Sequence, residues 1–277
     1  MNYTQELTND RIRQLAPSAF AMTPYHGQSN RYAFIPTSSV IDGMRAAGFV
    51  PVEAHQSRTR IADKHDFTKH MIRFRPTGSL TQKAVVGESI VEAVLVNSHD
   101  GSSRYKLFGG VYTFTCSNGM LVADSMLEAI SIKHTGNVIE EVIDGTSHLL
   151  EAAPVVIDAI QNWKTITLQP AEAKVFAQAA HELRFEIDEE TGKARTAVTP
   201  EMLLQPRRRA DNLPDLWNTF NRIQENSIKG VKAFGDRGNG EGFGRITSRA
   251  VKGIDGDVKL NRALWSLAEK MAELKKQ

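Results

Sequence analysis

One cysteine, Cys116, stands among 277 residues. A lone thiol cannot close a disulfide within the chain, which excludes a disulfide-stapled fold and makes a reducing cytoplasm the expected location. No run of about 18 apolar residues occurs, so no helical membrane span is expected. The opening MNYTQELTNDRIRQL is polar and charged, without the apolar stretch of a secretory signal. Internal repeats and low-complexity tracts are absent as well. Familiar catalytic and metal patterns are also missing. The eight histidines are scattered, and His65 and His70 have no cysteine at zinc-ligand spacing. No Walker lysine follows a GxxxxG loop. The glycines alternating over residues 238–244 have neither the preceding strand nor the capped helix of a dinucleotide site. A familiar enzyme, a metal and a cofactor are therefore not expected.

What is present is a globular composition, 41% hydrophobic and 24% charged, long enough for a substantial core. The net charge of +2 hides a strong segregation. Residues 137–191 hold three Lys/Arg against eleven Asp/Glu, a net of −8; residues 192–277 hold seventeen against ten, a net of +7. The first 136 residues carry the remaining +3. Such division suits a polyanion site, or an acidic face docking on a basic one in another subunit; two solvated faces would look the same.

The periodicity predicts an α+β protein. Thr8 caps a short helix through Leu15, and a second helix runs from Ser38 or Ser39 to Ala47, stopped by Gly48. Residues 50–134 read as an antiparallel sheet of four to five strands, packed by C-terminal helices. Thr68 to Arg75 alternates; SIVEAVLVN (89–97) and YKLFGGVYTFTC (105–116) flank an Asp100-Gly101 turn; Asn118-Gly119 marks a second turn; Leu127 to His134 forms a last strand. Val138, Val142, Leu149 and Leu150 give a helical stripe, and another helix begins near Pro170. A further helix starts with Pro214 in its first turn and ends at Gly230, with Leu216, Phe220 and Ile223 inward. After a glycine-rich connector the chain closes with a helix from about Val258 to Lys275. Three regions follow: 1–47 helical, 48–191 the α+β core, and 192–277 basic and helical.

Three cationic clusters carry the functional expectation: Arg58 and Arg60 with Lys64; Lys69, Arg73 and Arg75; and Arg207, Arg208 and Arg209. Lys69, Arg73 and Arg75 share one face of a strand, and three cations on one face repel unless solvated or met by an anion. Lys229, Lys232, Phe234, Arg237, Phe243 and Arg245 add cations and two phenylalanines in a glycine-rich stretch. That mixture suits single-stranded nucleic acid, with phosphates on Lys/Arg and bases on the rings. No helix-turn-helix or RNP motif is present, so sequence-specific readout is not expected. His99-Asp100 could serve catalysis if Glu92 met it, although Asp100 already has a turn role.

Several segments go further. GFVPVEAHQSRTR, HMIRFRP, LVNSHDGSSRYKLFGGVYTFTCSNGMLV, DLWNTFNRIQENSIKG and DVKLNRALWSLAE resemble the phage- and plasmid-carried family known as domain of unknown function 932. The resemblance spans about residues 48–270, with Val231 where relatives more often place a second glycine. It implies a protein of a phage, plasmid or other mobile element, working in replication, recombination or evasion of host defence. The sheet-plus-helices order and the charge are similar to those of phage single-strand annealing proteins, an analogy of architecture alone. The expectation is a non-catalytic, homo-oligomeric, cytoplasmic protein that binds DNA, single strands above all. The alternative is a counter-defence protein whose acidic helices imitate a phosphate backbone for a host nuclease or restriction factor.

Overall fold

The computed structural model describes residues 5–28, 34–80, 89–113, 118–123, 125–133, 137–190, 194–237 and 242–276. The chain divides into two compact units, residues 1–156 and 157–277.

The first unit is built on an antiparallel sheet of six strands: β1 (Phe49–Gln56), β2 (His70–Pro76), β3 (Ser89–Asn97), β4 (Tyr105–Thr113), β5 (Asn118–Leu121) and β6 (Ile130–Ile132). They lie in chain order from β1 to β5, and β6 pairs with β4 beside β5. Register follows the apolar pattern. Ile72 faces Leu95 and Leu95 faces Leu107, so three buried side chains form one row across the sheet. β2 is buried at every position from His70 to Arg75, on both faces. That double burial is read from no alternation in the sequence, because the strand alternates apolar and cationic residues rather than apolar and exposed ones.

Helices α1 (Asn9–Leu15), α2 (Thr37–Ala46) and α3 (Val138–Glu151) complete this unit. Thr8 caps α1 by accepting from the Arg11 N–H at 3.2 Å. Gly48, at φ +86°, ends α2. α2 and α3 approach so closely that a Cβ on Gly43 would lie 2.5 Å from Ile139. Val138, Val142 and Leu149 are buried along α3.

Asn118 and Gly119 form no turn; both lie in β5, paired with Thr113 and Tyr112. Space is the reason for glycine here, since a Cβ on Gly119 would stand 2.8 Å from the Arg73 guanidinium carbon.

Helix α4 (Ala153–Thr165) crosses the division between the units, and α5 (Pro170–Arg184), α6 (Pro200–Leu203), α7 (Leu216–Lys229) and α8 (Ile254–Leu274) belong to the second. Their core is aromatic. Trp163 lies 4.9 Å from Trp265 between ring centroids, and Phe220 meets Trp265 edge-on at 5.6 Å. Tilted and edge-on pairs satisfy the ring quadrupoles better than a face-to-face stack. α7 starts at Leu216, two residues after the expected Pro214: Asp215 is the cap, accepting from the Asn218 N–H at 2.9 Å, and Pro214 lies outside the first turn. α8 begins at Ile254, with Asp255 and Asp257 in its first turn, where a helix dipole favours carboxylates.

The glycine-rich stretch is not a plain connector. Lys232–Asp236 (β7) and Phe243–Thr247 (β8) form a two-stranded antiparallel ribbon. Gly230 lets α7 turn into it, at φ +83°, where a side chain would collide with the Ser248 carbonyl oxygen.

Candidate nucleic-acid interface

The sequence-selected cations reach three different environments. Arg73 and Arg75 are buried, at 2% and 1% exposure, and so is Glu92 at 0%. Arg75 Nε donates to Glu92 Oε1 at 2.5 Å and Arg73 Nη1 to Glu92 Oε2 at 2.9 Å. Arg73 also lies 3.4 Å from Glu53, and Arg75 stacks 4.0 Å over the Tyr112 ring. Burial alone would raise the Glu53 carboxyl. The hydrogen bond with His55 and the field of Arg73 outweigh it and hold the group below the usual carboxylate range. Two carboxylates thus answer two guanidiniums inside the sheet. The expected solvent-facing cationic strand is therefore corrected: the anion that relieves Arg73 and Arg75 is internal. Lys69 lies at the start of this strand and is half-buried. Glu92 was legible only as a lone charge within SIVEAVLVN, on the same sheet face as the arginines.

Arg58 and Arg60 are exposed in the loop after β1. Lys64 bridges Asp100 at 3.3 Å and lies over the Tyr25 ring. Asp100 accepts from the Ser102 N–H at 3.0 Å, so its turn role holds. His99 is fully buried and does not meet Glu92. The two are seven residues apart along nearly straight chain, roughly 20 Å.

His99 instead joins a closed polar network that sequence reasoning missed. Thr37 Oγ1 has His70 Nε2 at 2.9 Å, His99 Nε2 at 3.1 Å and the donating Asn97 amide at 3.1 Å. A hydroxyl accepts at most twice, so with Asn97 donating, one histidine must give a proton to Thr37 and the other must accept. Ser18 Oγ meets His70 Nδ1 at 2.9 Å. Burial pulls the His70 imidazole down to about 4, which keeps it neutral. Cys116 lies outside the described residues.

In the second unit, two members of the arginine triplet are structural. Arg207 donates to Asn226 Oδ1 at 2.9 Å and to the Gly230 carbonyl at 2.6 Å. Arg208 bonds to Glu225 and to Asp211, and Lys229 reaches Glu225 at 2.8 Å. These side chains fasten the 205–211 loop to α7, in which Asn221, Gln224, Glu225 and Asn226 are buried. Arg209 is exposed.

The ribbon is the third environment. Ala233 and Ile246 are buried beneath it, so the alternate residues Lys232, Phe234, Asp236, Phe243, Arg245 and Thr247 face outward together. Phe234 is 70% exposed and Phe243 77%. Phe234 pairs directly with Arg245, and Phe243 with Asp236. Arg237 follows β7, exposed, its guanidinium at 3.5 Å from the Gly242 carbonyl. Solvent-facing phenylalanines beside cations are costly to leave bare and suited to a planar, anionic ligand.

Among the described residues no group of three or more His, Cys, Asp or Glu is placed to hold a metal ion, and no helix is long and apolar enough to cross a membrane. No solved structure matches the chain. Two relatives from Escherichia coli strain K12, the UPF0380 proteins YafZ and YfjQ, are each 38% identical over 263 residues, covering 95% of this chain and 90% of the relative. The profile of the family described as "Domain of unknown function (DUF932)" matches residues 25–265. With most of its length inside that match, the chain belongs to the DUF932 family.

Proposed function

We propose that this chain is a non-catalytic single-strand DNA-binding protein, and that the outer face of the β7–β8 ribbon is its contact surface. One observation carries the reading: two exposed phenylalanines share that face with Lys232 and Arg245. Rings offer stacking surface to any base, and the cations neutralise the backbone between them. Arg58, Arg60 and Arg209 add exposed charge elsewhere on the chain. The non-catalytic part draws support from the Ser18–His70 contact, a serine beside a histidine that is fully buried. On this reading the chain acts as a homo-oligomer in recombination or replication of a phage, plasmid or other mobile element, the context that the resemblance noted above implies.

Anisotropy of a labelled single-stranded oligonucleotide tests the reading. Binding is expected in low salt and weakens linearly in a plot of log affinity against log salt, through counterion release. Absence of binding in low salt ends the proposal.

A second reading rests on α3, where Glu140, Glu141, Asp144 and Glu151 are exposed and no lysine or arginine intervenes. Such a face could imitate a phosphate backbone for a host nuclease or restriction factor. Recovery of such an enzyme with the purified protein, together with no affinity for DNA, would favour it over the first.

A further inference from the structure

The ribbon's register sets a distance as well as a face. Phe234 pairs with Arg245, and Phe243 stands two residues from Arg245 on the same strand. The two phenylalanines are therefore diagonal neighbours, with a separation of about 7–8 Å between strands. Among the described residues neither ring meets another aromatic ring, so the pair does not close on itself. Stacked bases repeat at about 3.4 Å along a strand, so ring, base and ring together need roughly 7 Å. A backbone spacing of that size leaves room for one base between the two rings.

The charges have an order too. Lys232 lies at one end of the face with its diagonal neighbour Arg245 next to it, opposite Phe234, and Asp236 sits opposite Phe243 at the other end. Anionic phosphates are drawn to the first end and repelled from the second. Beneath the slot, Gly235 and Gly244 oppose each other, with Met202 and Ile246 packed close under Gly235. The platform is thus anchored in the core of its unit while its rings stand free.

We propose that Phe234 and Phe243 form a slot that sandwiches one unpaired nucleobase, its flanking phosphate held by Lys232 and Arg245. This rests on the nucleic-acid reading above and adds to it a unit of recognition: one base, entered edge-first and clasped on both faces. A base inside a duplex already has stacked neighbours on both faces and cannot enter without flipping out. The slot consequently selects single strands by geometry, where phosphate contacts alone would not.

The test uses the full chain and three labelled strands of about 12 nucleotides, within the usual site size. One strand carries all its bases, one is wholly abasic, and one is abasic except for a single central thymine. The single-base strand is expected to bind about ten-fold more tightly than the abasic one, the scale of one stacked base. Phe234→Ala and Phe243→Ala are each expected to abolish that gain while leaving abasic binding unchanged. Phe234→Leu, which keeps an apolar side chain without a π face, serves as a folding control and loses the gain as well. If each alanine variant retains the gain, the rings are separate platforms and the sandwich is overturned, with DNA binding intact. Equal affinity of the wild type for all three strands also overturns it, leaving a phosphate-only surface. Variants that change the mass of the protein in solution but not its affinity for strands make the face a contact between copies. Failure of every strand to bind removes the proposed function itself.

Discussion

Arg73 and Arg75 on β2 and Lys232 and Arg245 on the ribbon share one local pattern, cations alternating with apolar residues along a strand. Their surroundings are opposite. β2 is an inner strand between β1 and β3, and its cationic face is sealed around Glu92 and Glu53. The ribbon has only two strands, buries a single face on Ala233 and Ile246, and leaves its cations outside with two phenylalanines. The alternation of a strand therefore says which residues travel together and not which side they will face. A strand's position in its sheet decides whether a cation is a structural group or stays open to solvent.

The sharpest way to break this comparison is to remove the counter-charge. Glu92→Gln leaves two guanidiniums buried with one carboxylate between them, and is expected to cost about 3–5 kcal/mol in urea unfolding. Lys232→Ala and Arg245→Ala are expected to change stability by no more than about 0.5 kcal/mol. Equal effects at the two sites would erase the distinction.

Acid provides the next test, and again the interior of the first unit should respond. The His70 imidazole is held at about 4 in the folded protein, below its ordinary 6.5. Its neutral form is favoured by folding, so its contribution is complete above pH 6.5. As pH falls from 6.5 towards 4 the unfolded chain takes up a proton that the folded one refuses, and stability is lost. The difference amounts to about 3 kcal/mol. His70→Gln should flatten this part of the pH profile relative to wild type; an unchanged profile would show that His70 is not held neutral.

The smallest effect belongs to the ribbon. If each of Lys232 and Arg245 neutralises one phosphate, replacing either by alanine lowers the slope of log affinity against log salt by about 0.7. Replacing Arg207 or Arg208, which bond to Asn226, Glu225 and Asp211, should loosen the 205–211 loop with little change in slope.

Much of the architecture was readable from periodicity. The Thr8 cap, the Gly48 and Gly230 stops and the β3–β4 pair around Asp100-Gly101 all depend on chain-local rules of φ angle, capping and alternation. The errors share a cause. Asn118-Gly119 resembles a turn, but its glycine is there to admit the Arg73 guanidinium from β2, far earlier in the chain. Nor does the α7 stretch NRIQENS announce its partners: its amides and carboxylate satisfy Arg207, Arg208 and Asn261 from distant segments. Long-range partners of polar groups leave no trace in local spacing.

The candidate site divides the same way. Sequence selected Phe234, Phe243, Lys232 and Arg245 because exposed-looking rings among glycines and cations are unusual. It could not fix their common face, since that depends on a strand register read only once β7 and β8 pair. Composition, charge segregation and helix and strand propensities were thus determined by the chain alone, through interactions between near neighbours. Which cations are neutralised inside and which stand beside open rings was decided by tertiary structure. Burying a charge is tolerable only when folding brings a counter-charge to it.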